Sequence, residues 1–258
     1  MDPATIGGLV LAFAAISLGA ILEGASPTAM FLLPPIILIF GGTFGATMAG
    51  STLKDFLGAL KMIPVAFTAK VPPADGIVDT VVSLAERARR EGLLALEDAS
   101  KSVEDPFLKR GLELAIDGTD PDELAEIMEA RIRAKKAADK VSYKLFTDMG
   151  GYAPTIGIVG TVLSLTHVLG MLDQPELLGP SIAVALLATL WGVLSANVIW
   201  LPISKRLERL SNLQAAQMEL ALEGILAIQA GSNPRVVGQK LRALLPPADA
   251  DAAEAKAA

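Results

Sequence analysis

What constrains this chain most is where its charges are absent. Of its 258 residues, the windows 3–22, 24–53, 149–172 and 177–204 contain no Asp, Glu, Lys or Arg, so all 22 basic and 28 acidic residues fall in the remainder. Each window has at least the roughly 20 residues that an apolar helix needs to cross a bilayer. A water-soluble domain keeps a polar face on its surface helices and does not segregate charge in this way. The pattern predicts an all-α, polytopic membrane protein with four transmembrane helices and a helical cytoplasmic domain. On this reading residues 1–50 hold the first two transmembrane helices and 51–148 a cytoplasmic helical domain. Residues 149–204 hold transmembrane helices three and four, 205–245 a cytoplasmic helical extension, and 246–258 a disordered tail rich in Ala, Asp and Pro. Met1-Asp2-Pro3 lacks the basic start of a cleaved leader, so the first window reads as a retained span.

The basic residues set the orientation. Fifteen of them lie in 51–150 and seven in 204–258, whereas the short connections Glu23–Thr28 and Asp173–Pro180 carry only Glu23, Asp173 and Glu176. The positive-inside rule places both charged blocks, and both chain ends, in the cytoplasm. Tyr152 and Trp200 then fall near the inner membrane boundary, while Trp191 lies near mid-span and must pack inside.

Several function classes are excluded by what is missing. With no Cys and a single His, His167, the chain offers no disulfide framework, iron–sulfur cluster, thiol nucleophile or zincin motif. No G-x-x-x-x-G-K-[ST] run supports a P-loop. A net charge of −6 without a strongly basic arm argues against nucleic acid. An intramembrane enzyme would need a nucleophile–base pair or a metal cluster within the spans, and neither is visible, so the chain does not read as an enzyme and implies no cofactor.

The windows are textured with small residues. Gly8, Ala12, Ala15 and Gly19 form one stripe; Gly41/Gly45/Ala49 and Gly42/Ala46/Gly50 form two overlapping ladders; Ala185, Thr189, Gly192 and Ala196 recur at helical spacing. Such faces let helix backbones approach closely where lipid supplies no hydrophobic drive for association. Pro34-Pro35 either kinks the second span or marks its start, and Pro202 marks the inner end of the fourth. The charged block reads as an amphipathic piece Lys54–Lys70, then Asp75–Arg90 and Leu93–Val103 split by Gly92. Pro106 and Pro121 suit first helical turns, with Thr119 or Asp120 as the last cap. From Pro121 no breaker appears before Met149, so this helix should run directly into span three. Ser204–Ala230 reads as one further amphipathic helix.

An ion channel or transporter generally needs an ionisable group within the membrane. Here no carboxylate, Lys or Arg lies in a span, and His167 stands alone near the outer end of the third. Either the protein moves no ions or a partner supplies the titrating side chain, with Thr161 and Thr189 as polar lining. Taken singly, a membrane Thr usually bonds back to its own helix, and His167 is most simply a wetted helix-end residue. Two Thr on the small faces of two proline-marked spans favour a role. The run Glu86-Arg87-Ala88-Arg89-Arg90-Glu91 would, alone, be a solvated face with i,i+4 pairs.

The stretches 151–163 (GYAPTIGIVGTVL), 178–192 (LGPSIAVALLATLWG) and 197–202 (NVIWLP) resemble the MotA/PomA family of flagellar motor stator subunits. Gly7-Gly8, Gly41-Gly42-Thr43, the run 89–97 (RREGLLALE) and Asp117-Gly118-Thr119 extend the likeness over nearly the whole chain; Ser164 stands where a Gly is usual. The resemblance implies a homo-oligomer of five copies around two MotB-like single-span proteins, which bring the ion-carrying aspartate and a peptidoglycan-binding domain. It implies location in the bacterial inner membrane. Pro154 and Pro202 match the family's functional prolines. Thr161 and Thr189, with Pro154, match the ion pathway, and Gly157 and Gly192 lie in the motifs that face the partner and couple torque. Arg89 and Glu97, with the neighbouring Arg90, match charges that touch the rotor protein FliG. The transported ion would be the proton, with sodium the alternative. A TolQ/ExbB-type energiser, a three-span relative with a different loop order, is the other reading.

Overall fold

The charge-free windows and most of the charged block share one secondary structure. The computed structural model describes residues 3–24 and 26–245, and every regular element among them is helical. In order these are α1 (Pro3–Leu22), α2 (Leu33–Ala49), α3 (Leu53–Lys61), α4 (Ile63–Thr68), α5 (Asp75–Glu91), α6 (Leu96–Lys101), α7 (Pro106–Ile116), α8 (Pro121–Leu169), α9 (Pro175–Ser195), α10 (Leu201–Gln229) and α11 (Pro234–Ala243). Three-residue-repeat turns occupy Pro27–Met30 and Leu93–Ala95, and a π turn occupies Ala196–Trp200. The tail from Pro246 lies outside the described residues.

Local chemistry accounts for the boundaries. Pro34 and Pro35 sit in the first turn of α2, where an N–H has no intrahelical partner, so they start this helix and do not kink it. The expected piece Lys54–Lys70 is two helices, because Pro64 cannot donate and α4 restarts around it. Gly92 closes α5 at φ 86°, a conformation that strains any side chain. Asp105 caps α7 by accepting from Leu108 N at 2.7 Å, and Asp120 accepts from Asp122 N at 2.9 Å, so Asp120 rather than Thr119 caps α8. α8 then runs unbroken for 49 residues.

Pro202 does not end a helix. α9, the π turn and α10 are continuous from Pro175 to Gln229. Pro202 has no N–H and its ring would clash with the carbonyl four residues back. The turn before it widens accordingly, and Leu201 N reaches five residues back to Ala196 O. Three helices contain an apolar stretch of 18 residues, long enough to cross a membrane: α1, α8 and the continuous α9–α10. α2 is apolar and shorter, at 17 residues.

Two compact units result, each with its own core. The first comprises the described residues up to Lys70 together with Asp139–Leu210. Its packing extends beyond the charge-free windows, since Phe56, Ala59 and Ala66 of α3 and α4 are buried with Phe146, Met149, Trp200, Ile203 and Leu207. A chain of ring contacts, Phe31–Trp191–Phe40–Trp200–Phe44–Phe56, runs through it at centroid separations of 5.3 to 6.3 Å. Trp191 is buried as expected and donates Nε1 to Met30 O at 2.7 Å. Trp200 corrects the sequence reading: it is only 5% exposed, held between Phe40 and Phe44, whereas Tyr152 is 41% exposed. The second unit comprises Val71–Ala138 and the described residues from Ser211 onward. Its core is built from α5, α7, α11 and the parts of α8 and α10 it contains, with Val81, Leu112, Leu124, Met128 and Ile225 fully buried. Gln229 Nε2 donates to Thr119 O at 2.6 Å, fixing the α7–α8 turn to α10.

Candidate functional site

In the first unit α8 and α9 meet backbone to backbone. A Cβ added at Gly192 would stand 2.6 Å from Ala153 O, 3.1 Å from Gly157 Cα and 3.3 Å from Pro154 Cα. One added at Gly157 would stand 3.0 Å from Ala188 O and 3.3 Å from Gly192 Cα. These are backbone atoms that cannot rotate aside, so only glycine fits at either place. Gly160 continues the contact against Leu38 and Ala188, and Gly42 of α2 receives Ile156. Pro154 sits inside α8 at this contact, and having no N–H it leaves Gly150 O without its usual partner four residues on.

One turn further along α8 the close approach brings two hydroxyls together. Thr161 Oγ1 lies 2.5 Å from Thr189 Oγ1, 3.0 Å from Ala185 O and 3.1 Å from Gly157 O. Each single-residue expectation is thus partly met, since Thr161 does back-bond to its own helix, but it also bridges to α9. One proton on Thr161 cannot serve three acceptors. When it goes to a carbonyl, Thr189 must donate to Thr161, and the lone pairs of Thr189 stay open. Both threonines are half-buried. Four oxygens so placed can hydrogen-bond an ordered water, but none of them titrates near neutral pH. Carbonyls and hydroxyls can line a path; they cannot take up and release a proton as a carboxylate does.

Below this contact a second inter-helix hydroxyl pair joins α8 to α10, which sequence reasoning did not single out. Thr147 Oγ1 and Ser204 Oγ are 2.7 Å apart, and Ser204 donates to Tyr143 O at 2.8 Å. The partners are 57 residues apart, and no sequence signal pairs them. Pro202, expected at a span end, lies between this pair and the Gly192 contact on the continuous helix. Thr43 Oγ1 and Trp200 Nε1 are buried with no hydrogen-bond partner among the described residues. His167 is exposed in the last turn of α8, and Ser164 is half-buried in an unbroken stretch of that helix.

The remaining predicted residues belong to the second unit. Arg89 and Arg90 are exposed in the last turn of α5, and Glu97 is exposed in the first turn of α6. Those positions favour their charges through the helix dipoles alone. The expected i,i+4 pairing is realised by Arg87 and Glu91 at 3.2 Å, and Lys101 pairs with Asp98 at 2.8 Å. Lys101 holds the Asp98 carboxyl below the ordinary carboxylate range, first through its hydrogen bond and then through its charge. Arg89, Arg90 and Glu97 make no ion pair among the described residues, and the tight turn at Gly92 separates the two Arg from the Glu.

Comparison with known proteins agrees with this layout. Residues 99–220 match the MotA/TolQ/ExbB proton channel family. Motility protein A of Bacillus subtilis (strain 168) is 34% identical over 254 residues, 96% of this chain and 93% of that one. Chemotaxis protein PomA of Vibrio alginolyticus is 32% identical over 243 residues, 94% of each chain. The solved structure of C. jejuni MotAB superposes with a TM-score of 0.92 at 30% identity, covering 96% of this chain and 97% of that one. Similarity at this level over nearly full length on both sides leaves a single assignment: the chain belongs to the MotA/TolQ/ExbB proton channel family, among its motility protein A members.

Proposed function

We propose that this chain, a flagellar stator ion-channel subunit of the membrane, forms the charge-free wall of the channel and leaves the titrating step to a second protein. The observation that carries this reading is the Thr161–Thr189 cluster, four oxygens at a glycine-tight contact between the charge-free stretches 149–169 of α8 and 177–195 of α9. A MotB-like single-span partner, of the kind present in the similar solved complexes, supplies an aspartate whose protonation neutralises the charge facing this wall. The proton it takes up and later releases moves down a potential worth about 2.3 kcal/mol per 100 mV. The change in fit, met by pliant helices at Pro154 and Pro202, turns the assembly.

Four spans with both ends in the cytoplasm, α2 being the shortest, place the second unit inside the cell at the inner membrane. There Arg89, Arg90 and Glu97, exposed and unpaired, meet the rotor protein FliG. The small faces around Gly8 and Gly19 of α1 and Gly41 and Gly45 of α2, where an added Cβ would meet nothing within 4 Å, pack against other copies in a ring of five. The ion is the proton: two hydroxyls and two carbonyls are fewer oxygens than a desolvated metal ion takes.

Swimming speed measured in sodium-free medium, and then with a protonophore, tests this. Speed should persist without sodium and collapse with the protonophore; collapse on sodium removal alone refutes the proton. Ion flux through membranes containing this chain without its partner would refute the division of labour.

A further inference from the structure

Between Arg89 and Arg90 on one side and Glu97 on the other stands a leucine with no place in the core. Leu94 is 75% exposed. Among the described residues of this unit only Leu244 (56%), Val236 (55%) and Ile127 (36%) are other large hydrophobics at or above that class of exposure. Leu94 is not on a slack loop. Its turn, Leu93–Ala95, is closed by Ala95 N donating to Gly92 O at 3.3 Å, and Gly92 N donates to Ala88 O at 2.8 Å. Leu96 on its far side is fully buried, and Leu93 on its near side packs on the same core. The turn is braced at both ends and pushes one apolar side chain outward, with Arg89 and Arg90 before it and Glu97 after it.

We infer that Leu94 is the apolar anchor of the rotor contact, seated in an apolar recess that carboxylates border where it faces Arg89 and Arg90 and a basic group borders where it faces Glu97. The inference rests on the proposal that these charges meet the rotor. Exposed ion pairs are weak and screened by salt. Tight-fitting contacts instead place a desolvated side chain at the centre and charges at the rim. The neighbouring pairs Arg87–Glu91 and Lys101–Asp98 are satisfied within the chain, whereas Arg89, Arg90 and Glu97, which flank Leu94, are exposed and make no ion pair among the described residues. One leucine between them gives a contact that holds during a step and still releases.

The test uses the full stator complex in swimming cells, reading recruitment of fluorescent stators to the motor and torque on a tethered bead. Leu94→Ala should reduce recruitment about fivefold or more, as truncation of a central contact residue does, with membrane level and partner co-purification unchanged. Leu94→Met should restore it. Because the chain has no Cys, Leu94→Cys adds one thiol per protomer, and maleimide on it should block recruitment. Normal recruitment by Leu94→Ala while Arg89→Glu loses torque overturns the anchor and leaves the rotor reading standing. Normal torque in both overturns both. A fall in membrane level or partner binding with Leu94→Ala makes the leucine structural and overturns the anchor.

Discussion

Gly157 and Gly192, and Gly8, Gly41 and Gly45, are the same residue in charge-free stretches of helix within the first unit. Their surroundings differ completely. A Cβ on either of the first two would collide with backbone, whereas Gly8, Gly41 and Gly45 have nothing within 4 Å. None of the apolar stretch Thr5–Leu22 is buried within the chain. A small-residue stripe therefore states only that close approach is possible. In α8 and α9 the chain uses that allowance itself, to bring Thr161 and Thr189 together. In α1 and the outer ladder of α2 it leaves the allowance to whatever lies outside.

The sharpest way to break the comparison is to fill both faces. Gly192→Leu should abolish motility and destabilise the α8–α9 contact by at least the 1–3 kcal/mol typical of overpacking, because backbone must move. Gly41→Leu should leave the single chain folded, as a normal membrane level and protease resistance would show, and should disrupt only ring assembly on native gels. If the two variants fail alike, at the level of the folded chain, the distinction between used and open faces is wrong.

A smaller effect separates the units. Arg89→Glu combined with Glu97→Lys should reduce torque more than either change alone while the ring assembles normally, since exposed substitutions typically alter stability by less than about 0.5 kcal/mol. Charge-reversed FliG should restore swimming to the double variant. Normal swimming by the double variant would return these residues to the status of a solvated helix end.

The smallest expected effect concerns the satisfied charges beside them. Asp98 is held below its ordinary range by Lys101, so the pair's contribution is present above the unfolded carboxylate pKa, about 3.9, and is lost as pH falls through the lowered folded value. Asp98→Asn should therefore differ slightly from the unchanged protein in thermal unfolding at pH 7, and not at all once pH is low enough to protonate Asp98. A difference that grows on acidification would contradict this.

What was legible in the sequence follows the range of the physics. Pro106, Gly92 and the unbroken run from Pro121 act within a turn or two, and each boundary was readable from neighbours. The membrane windows were readable because a bilayer excludes charge over a whole segment. The Thr161–Thr189 pair was half-legible: the types and faces were evident, but their 2.5 Å bridge depends on glycine contacts between residues far apart in sequence. Trp200 misled because an indole at a window's end suits an interface, and only Phe40 and Phe44 of α2, more than 150 residues earlier, bury it. The reading of a separate helix from Ser204 failed for a related reason. Local rules say that a proline ends a helix, and the wide turn that keeps this one going is a response of the backbone, not a residue type.

That wide turn also sets an angular phase. Gly192 and Ser204 both address α8, the one against Ala153 O and the other through Thr147 and Tyr143 O. Twelve residues of ideal α-helix, at 100° each, would leave their faces about 120° apart. Taking up one residue in the π turn brings the difference to about 20°. The helix thus carries one residue more than its geometry would otherwise allow, as a vernier carries one extra division, and this brings both of its ends into register with a single partner. Removing one residue within 196–200 should therefore restore a plain helix and keep Ser204 facing α8, whereas closing the wide turn with every residue retained would swing Ser204 by about 100° and leave a rod engaged at one end only.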